Sequence, residues 1–349
     1  MVVSTLRRPR TLRQNLSFYV PGSNQELVSA SAAIAGAVTL KGPKGPEAAR
    51  VLRRDGFDGE VLFDLAAYEG DPEKNSVRKP VDPRWWIDTQ HQLGADRVLS
   101  PGRWVPWDSS GATLRAAVEL EAGLMVSAPG STLVFAIDYR WLTKGLRELT
   151  AALRDVDRPV ALVLSHSNDP LGVSDAVDAL VAVVQSVPDL SILRCDHGAI
   201  GAVAFGAGHG SMGLVPTYRH FVPPTSSGGG KRDDRTARLF IRDIIDWTTA
   251  FEVSGWSVID ARPPCLLRCC DGRPFERFLD DRTAGEAMLH NQLSLLELGR
   301  LALDSAAAEP RFAFPTICAS AVKRYGPVGG FTTTIKPKAQ LVQWSQLAR

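Results

Sequence analysis

Eight short apolar runs, separated by helix-like stretches, recur through the first two-thirds of the chain. Each run is rich in Val, Ile and Leu, a composition typical of strands that are buried on both faces of a parallel sheet. The runs are LSFYVPG from Leu16, GAVTLKG from Gly36, EVLFD ending at Asp64, DRVLSPG from Asp96, TLVFAID ending at Asp138, PVALVLS from Pro159, LSILRCD ending at Asp196 and SMGLVPTY from Ser211. Eight such strands with intervening helices predict an α/β fold, the (β/α)8 TIM barrel, whose chemistry lies at the C-terminal ends of the strands.

The composition is typical of a soluble protein with a large core. Hydrophobic residues make up 44% of the 349 residues, and no apolar run approaches the length of a membrane span. The basic N-terminus is not followed by the apolar segment of a signal peptide, so we expect a cytoplasmic protein with no membrane partner. The net charge of +2 neither requires nor excludes a nucleic-acid partner, because a local basic patch is sufficient for binding.

Three of the five cysteines fall within six residues, at Cys265, Cys269 and Cys270. In a cytosolic protein such a cluster indicates metal binding rather than a disulfide framework. The nearest downstream histidine is His290, in a segment whose apolar residues recur at helical spacing. A Cys3His set is a standard tetrahedral zinc site, so we predict that these four residues bind a structural Zn²⁺. The alternative is three buried or reducible thiols and a surface histidine.

These features divide the chain into three parts. Residues 1–255 are predicted to form the barrel, residues 256–305 a zinc-binding element that packs on it, and residues 306–349 an irregular C-terminal tail. The segment TSSGGGKRDDR, after the eighth run, is rich in Gly and Ser and carries charge. It is interpreted either as a lid over the active face or as a surface loop without a role.

Several segments resemble the tRNA-guanine transglycosylase superfamily, including its relatives that modify DNA. HQLGADRVLSPGRWVPWDSSGATLRAAVELEAG is similar to the family segment LGADIVMAFDECTPYP, and VFAIDYR to FAIVQGG. GFDGEVLFDLAAYEG resembles GPILTDSGGFQ and aligns Asp64 with the first catalytic aspartate of the family. The Cys3His set and the HNQL sequence at His290 resemble the zinc ligands and HNL helix of the family. The resemblance extends from about Gly56 to Leu303.

Members of this superfamily are zinc-containing (β/α)8 glycosyltransferases that exchange guanine for a 7-deazaguanine base in nucleic acid. The resemblance therefore implies DNA or tRNA and a 7-deazaguanine-type base as partners. The chain departs from the family at its chemical groups. Met212 or Gly213 stands at the position of the nucleophilic aspartate of the eighth strand, and Pro101 or Gly102 at that of the base-reading aspartate. The cysteine spacing also differs from the family pattern C-x-C-x-x-C.

Three aspartates at predicted strand ends are the candidate catalytic residues. Base exchange by double displacement needs a carboxylate that attacks the anomeric carbon and a second group that transfers protons. Asp196 is the expected replacement nucleophile, because it ends the strand beside the eighth, and Asp64 is the expected proton-transfer group. Asp138 is the third candidate. The alternative is that these aspartates cap the following helices, as aspartate commonly does.

Residues that follow the predicted strand ends are candidates for substrate binding. Tyr68, Trp104 and Trp107 are placed to stack on a base. Arg103, Arg219 and His220 are placed to bind phosphate. The alternative interpretations are aromatic packing against the barrel rim and arginines that face solvent.

Two functions remain open at this stage. The first is transglycosylase-like base exchange in nucleic acid, which the retained Asp64 favours. The second is a non-catalytic barrel that keeps the zinc and serves as a nucleic-acid-binding or partner subunit, which the absence of an aspartate in the eighth strand favours. Either function is compatible with a second protein subunit.

Overall fold

Eight parallel strands alternate with helices in the computed structural model, which describes residues 15–69, 82–95, 97–223, 237–255, 265–306, 308–328 and 336–348. The strands are β1 Leu16–Pro21, β2 Ala37–Lys41, β3 Glu60–Asp64, β4 Arg103–Val105, β5 Leu133–Asp138, β6 Val160–Ser165, β7 Ser191–Cys195 and β8 His209–Gly213. They form one curled sheet in the order β3-β2-β1-β8-β7-β6-β5-β4. This arrangement fits an α/β, TIM-like barrel and confirms that part of the predicted fold class, while the zinc-binding element stays a prediction.

Helices connect successive strands on the outside of the sheet. They are α1 Gln25–Ala35, α2 Gly45–Arg54, α3 Pro83–Gln92, α4 Ala112–Leu124, α5 Arg140–Thr143, α6 Leu146–Arg154, α7 Ala176–Ser186 and α8 Gly198–Ala204. Two of them, α1 and α3, start at a residue whose side chain caps the helix. The Asn24 side chain accepts from Leu27 N before α1, and Asp82 precedes Pro83 at the first position of α3.

The fourth strand lies later in the chain than its apolar run. Leu99 makes only an isolated parallel bridge to Thr132, whereas the regular pairing with β5 begins at Arg103. Pro101 has no N–H to donate, and Gly102 has a φ of +89°, so the two residues interrupt the strand between these points. The fourth run is therefore part of the barrel wall, but the predicted boundaries of its strand were wrong.

Alternate residues of each strand contribute to two separate cores. Along β5, Leu133, Phe135 and Ile137 join the core between sheet and helices, while Val134 and Ala136 join a smaller core inside the barrel. This alternation is the period of two expected of strands in a closed or nearly closed sheet. The residue that ends each strand on the inner face therefore points to the mouth of the barrel, at the C-terminal ends of the strands.

Residues beyond the barrel form a hairpin and further helices: β9 Arg238–Ile241, β10 Asp246–Thr249, α9 Ala250–Gly255, α10 Ala284–Leu303, α11 Pro310–Val328 and α12 Ala339–Gln346. Helix α10 contacts β9, α8 and α11. It carries the predicted apolar stripe, with Leu295, Leu298 and Ala302 buried.

The predicted segment TSSGGGKRDDR lies outside the described residues. The predicted domain boundaries at residues 255 and 305 remain predictions.

The prediction of an irregular tail was wrong, because α11 and α12 occupy most of its described residues. Pro315 within this segment reads as a helix breaker, but tertiary packing overrides it. Phe314 and Trp344 are fully buried, with ring centroids 5.3 Å apart, and the Trp344 ring lies against Gly201 of α8. Burial of such large aromatic side chains stabilises helices that local propensity alone would not predict.

Among the helices that the structure describes, none combines the length and the apolar character that crossing a membrane requires.

Candidate functional site

The three predicted strand-end aspartates all cap the turn that follows them. In each, Oδ1 accepts a hydrogen bond from the backbone N–H two residues further on. The bonds are Ala66 N to Asp64 at 2.8 Å, Arg140 N to Asp138 at 2.9 Å and Gly198 N to Asp196 at 2.8 Å. Each aspartate therefore closes a turn at the end of its strand, although the N-cap residues of the helices after Asp138 and Asp196 are Tyr139 and His197. The remaining contacts of each carboxylate decide what else it does.

Asp64 lies inside the mouth of the barrel and is held by two tyrosines. Its Oδ2 accepts from the hydroxyls of Tyr19 and Tyr68, each at 2.6 Å, and these hydroxyls lie 3.2 Å from one another. The carboxylate is fully buried. Burial raises its pKa, against the opposing effect of the two phenol hydrogen bonds. The environment of Asp64 therefore favours a carboxylic acid that can exchange a proton.

Arg194 brings a buried cation to the same cluster by an unusual backbone conformation. It has a φ of +51° at an irregularity between Ile192 and Cys195 in the pairing of β7 with β8. A left-handed non-glycine residue costs about 1–3 kcal/mol, and such strain is concentrated at functional sites. The bulge directs the side chain inward, where it pairs with Glu69 and donates from Nη2 to the carbonyl of Thr217 at 2.7 Å.

Glu69 bridges two cations at the edge of the mouth. Besides its ion pair with Arg194, it accepts from Lys41 Nζ at 2.7 Å. Lys41 also lies over the ring of Tyr218, 5.0 Å from its centroid. Burial alone would raise the pKa of Glu69, but the charges of Arg194 and Lys41 lower it, so this carboxylate is ionised at neutral pH.

Asp138 also lies at the mouth, but a neighbouring guanidinium neutralises its charge. Arg140 donates to Oδ1 from Nε at 2.9 Å and to Oδ2 from Nη2 at 2.7 Å. This bidentate geometry occupies both oxygens. The adjacent Tyr139 packs edge-on against His166, with ring centroids 4.5 Å apart. Asp138 is therefore committed to a cap and an ion pair.

Asp196 faces the C-terminal helix rather than the cluster around Asp64. Its Oδ1 accepts from Gln340 Nε2 of α12 at 3.0 Å, and its Oδ2 lies 3.6 Å from Nδ1 of the buried His197. Asp169 lies close enough that burial and the charge of Asp196 raise its pKa. The predicted nucleophile is thus covered by a helix that the sequence did not indicate.

Arg219 and His220 lie on the Asp196 side of the mouth. The Arg219 guanidinium stacks on the Trp247 ring, 3.2 Å from its centroid, and donates to the carbonyl of Leu214 at 3.3 Å. Burial lowers the pKa of Arg219 to about 9 and that of His220 to about 4. These contacts make Arg219 a packed cation and His220 neutral at pH 7, which weakens both as phosphate ligands.

The two predicted binding residues of β4 point in opposite directions. Arg103 pairs with the buried Glu121 of α4, with 3.2 Å between Nε and Oε1, so it lies on the helix side of the sheet. Trp104 points inward, and its ring packs edge-on against Phe221 at 5.2 Å. Strand alternation accounts for this difference, since neighbouring residues face opposite sides. Trp107 packs on Trp141, with centroids 4.8 Å apart, and does not reach this cluster.

The chain after β8 crosses the mouth and closes part of it. Phe221 pairs with the end of β6, donating from N to Leu164 O at 3.0 Å and accepting at O from His166 N at 3.0 Å. Its ring contacts the rings of Tyr68 and Trp104, each with centroids 5.2 Å apart. Two of the three aromatic residues that the sequence predicted to stack on a base, Tyr68 and Trp104, are therefore brought together, with Phe221 between them.

Both glycines at the departures from the family pattern are sterically closed. A Cβ at Gly213, the inward position at the end of β8, would overlap the backbone of Tyr218. A Cβ at Gly102 would approach the Tyr68 ring to 2.9 Å. Carboxylates at these two positions therefore do not fit the chain as it is folded.

The four predicted metal ligands form one compact group outside the barrel. The Nδ1 atom of His290 lies 3.6 Å from Cys265 Sγ, 3.8 Å from Cys269 Sγ and 3.3 Å from Cys270 Sγ. All four ligand atoms lie within 4.8 Å of one another. Ligands in a zinc tetrahedron, about 2.0–2.3 Å from the ion, lie roughly 3.3–3.8 Å apart, so this group could bind a metal ion.

Neighbouring residues orient these ligands. His290 Nε2 lies 3.1 Å from the carbonyl of Phe240, a bond that requires the proton on Nε2 and turns the Nδ1 lone pair toward the cysteines. Arg277 donates from Nη2 to Cys270 Sγ at 3.1 Å, which favours a thiolate. Asn291 follows His290 on α10. Its Oδ1 accepts a hydrogen bond from Phe240 N at 2.7 Å, and its Nδ2 donates to Arg238 O at 2.8 Å. The helix thus fixes the edge of β9 and the ligand together.

Sequence reasoning missed four residues of the cluster around Asp64: Tyr19, Lys41, Glu69 and Arg194. An arginine inside the apolar run LSILRCD was the available signal for Arg194, because a charge in a buried strand needs a partner. Lys41 ends the second run in the same way that the aspartates end others. Glu69 carried no signal beyond its closeness to Asp64 in sequence.

Cys195 and Cys318, the two cysteines outside the Cys3His group, are buried thiols.

Neither a protein-family model nor a curated protein matches this sequence. The resemblance to transglycosylases therefore rests on its motifs, and the site is interpreted from its own geometry.

Proposed function

We propose that this protein is a transglycosylase-like enzyme that exchanges a base in DNA or tRNA for a 7-deazaguanine-type base at the mouth of the barrel. The observation that carries the proposal is Asp64, a buried carboxyl at the C-terminal end of β3 that Tyr19 and Tyr68 bind and Arg194 faces. Catalytic groups of TIM barrels occupy this position.

The proposed role of Asp64 is proton transfer to and from the exchanged base. Burial raises the pKa of Asp64, which moves this carboxyl toward the protonated form that a general acid requires. The Tyr68 hydroxyl, which bonds Asp64 and packs at the mouth, connects it to a substrate base. Departure of the base is assisted when Tyr68 donates its proton and takes the proton of Asp64, and the reverse transfer serves the incoming base.

We propose Zn²⁺ as the metal of the Cys3His group. Three thiolates and one imidazole form a ligand set that suits zinc, and four protein ligands are typical of a structural ion. Bound zinc would hold the cysteine loop against α10, and so against β9, rather than take part in chemistry. A cytoplasmic location, where thiols stay reduced, is part of this proposal.

Metal analysis tests the zinc proposal. We expect about one zinc per chain in metal-replete protein, and almost none in a double variant with Cys269→Ser and Cys270→Ser. Cys195→Ser, at a buried thiol outside the group, is the matched control and should keep its zinc. Zinc that persists in the double variant, or its absence from the metal-replete protein, contradicts the proposal.

A second candidate is a non-catalytic, nucleic-acid-binding or partner subunit. The closed position at Gly213 and the aromatic contact of Phe221 across the mouth favour it, because they leave little free space at the end of β8. A partner subunit would then supply the missing catalytic groups.

Incorporation of a labelled base separates the two candidates. We expect wild-type protein to incorporate labelled guanine or 7-deazaguanine into DNA or tRNA, and Asp64→Ala to lose this activity. Glu148→Gln, on the outer helix α6, is the control and should keep it. If no exchange occurs with any of these substrates, the enzyme proposal fails, and retained nucleic-acid binding then supports the second candidate.

A further inference from the structure

We propose that Glu69 is the carboxylate nucleophile of this site and that Arg194 and Lys41 position it. This inference rests on the proposed base exchange. It assigns the covalent step to a residue that neither the strand-end pattern nor the family resemblance indicated.

The other carboxylates of the mouth are committed elsewhere. Asp64 is fully buried beneath two phenols, Asp138 is bound on both oxygens by Arg140, and Asp196 faces α12. The Glu69 side chain is 19% exposed, close to the 16% of Asp196, but it lies in the cluster of Asp64 and its partners are the cations Lys41 and Arg194. Among the described acidic residues of the mouth, it is the carboxylate that combines exposure, charge and closeness to Asp64.

Arg194 places the Glu69 carboxylate beside the end of β8. One guanidinium contacts both Glu69, from the loop after β3, and the carbonyl of Thr217, four residues after β8. The side chain of Glu69 therefore extends from the third strand toward the eighth. This is the region of the mouth that a side chain at Gly213 cannot reach, because the Tyr218 backbone lies over it.

Glu69 and Asp64 occupy opposite electrostatic environments in one cluster. Two cations contact Glu69, while neutral hydroxyls contact Asp64. The pKa values of the two groups shift in opposite directions, downward for Glu69 and upward for Asp64. Two carboxyl groups whose pKa values shift in opposite directions supply one ionised nucleophile and one acid.

One partly exposed aromatic ring, that of Tyr218, lies beside the Lys41–Glu69 pair and is placed to stack on a nucleobase. The Tyr218 ring lies 6.1 Å from that of Tyr19 and beneath the Lys41 ammonium, and it is partly exposed. Base stacking on such rings contributes about 1–3 kcal/mol per base. A base stacked on the Tyr218 ring would lie next to the Lys41–Glu69 pair.

The proposed step balances without any redox partner. A Glu69 oxygen attacks C1′ of the nucleotide, and the bond from C1′ to the glycosidic nitrogen breaks. The departing base takes a proton from Asp64 through the Tyr68 hydroxyl, and a glycosyl ester remains on Glu69. The incoming base then attacks C1′ with its own ring nitrogen, the ester bond breaks, and the proton of that nitrogen returns to Asp64.

The alternative is that Glu69 only neutralises Lys41 and Arg194. Trapping the ester in unmodified protein distinguishes the two roles without a mutation. Wild-type protein is mixed with an oligonucleotide or tRNA, quenched in acid and digested, and the sugar adduct is located by mass spectrometry. We expect the adduct on Glu69. An adduct on Asp196 or another residue overturns the proposal.

Variants supply the second readout. We expect Glu69→Gln to lose exchange by at least about 10³-fold and to form no adduct, while Asp196→Asn keeps both. In Glu69→Ala, added azide should restore release of the base at least about 10-fold, because a small anion replaces a missing nucleophile but not a structural bridge. Melting temperatures identify any variant that fails to fold.

The outcomes separate the two proposals. Exchange by the wild type that persists in Glu69→Gln overturns the assignment of Glu69 and leaves base exchange intact. Absence of exchange and of any adduct in the wild type overturns both.

Discussion

The ends of β3 and β5 carry the same sequence feature but differ in chemistry. Each strand ends in an inward-facing aspartate whose Oδ1 caps the next turn. The Oδ2 of Asp64 receives two phenol hydroxyls from inside the barrel, whereas the Oδ2 of Asp138 receives the guanidinium of Arg140, two residues away. One carboxyl is buried without a directly bound cation, and the other is neutralised at the rim.

This difference teaches that a strand-end aspartate is not a catalytic signal by itself. Capping is common to both sites, and the partner of the second oxygen separates them. A local cation makes Asp138 a structural element. Buried hydroxyls, together with a strained Arg194 nearby, make Asp64 a group whose protonation is adjustable.

The largest expected effect is on the catalytic efficiency of base exchange. We expect Asp64→Asn to lower kcat/KM for base exchange by about 10²–10⁴-fold, the usual contribution of a general acid or base. Asp138→Asn should stay within about threefold of the wild type, because its carboxylate serves a cap and an ion pair. Incorporation of a labelled base measures both. Equal losses of kcat/KM in the two variants would contradict the proposed difference in role between Asp64 and Asp138.

Next in size is the effect of the phenol groups. Tyr19→Phe removes one of the two hydroxyls on Asp64 and leaves in place the Tyr68 hydroxyl, the proposed path of the proton. These bonds lower the pKa of Asp64, so their removal raises it further. We expect the corresponding limb of the pH–rate profile to move to higher pH. Tyr139→Phe, at the end of β5, is the control, and a shift of the same size there would contradict the assignment.

A smaller effect concerns the pH dependence of stability. Burial raises the pKa of Asp64 in the folded state above its value in the unfolded state, so the folded state binds the proton more tightly. The contribution of Asp64 is fully present below the unfolded pKa and is lost as pH rises through the folded pKa. We therefore expect the wild type to lose stability relative to Asp64→Asn as pH rises above the unfolded pKa of about 4 and through the raised folded pKa. Urea unfolding at several pH values tests this, and a constant or rising difference would contradict it.

The smallest effect is expected at the end of β5. Asp138→Ala removes a cap and a rim ion pair, and Arg140 is 40% exposed, so solvent screens most of the ionic contribution. We expect a loss of about 1 kcal/mol in the free energy of unfolding. A loss above about 3 kcal/mol would mean that Asp138 stabilises the fold as a buried ion pair does, and not as a group at the rim.

The sequence predicted the cysteine group well and the mouth only in part. Cys265, Cys269 and Cys270 are close in the chain, and His290 lies on a helix with a clear apolar stripe, so local patterns were sufficient. At the mouth, Asp64 and Tyr68 were found, but Arg103 turned outward and Asp196 was covered by α12. A shift of one position along a strand reverses the side that a residue faces, so small errors in β4 had large consequences.

By itself, the sequence determined what depends on local periodicity: the eight strands, the alternation of their faces and the aspartates at three of their ends. The tertiary structure alone decided which partners meet those aspartates. Tyr19 reaches Asp64 from 45 residues away, and Arg194 reaches Glu69 from 125. Such contacts depend on sheet order and on a bulge in β7, which no local pattern encodes, because buried polar groups take their partners from whichever strands the curled sheet brings together.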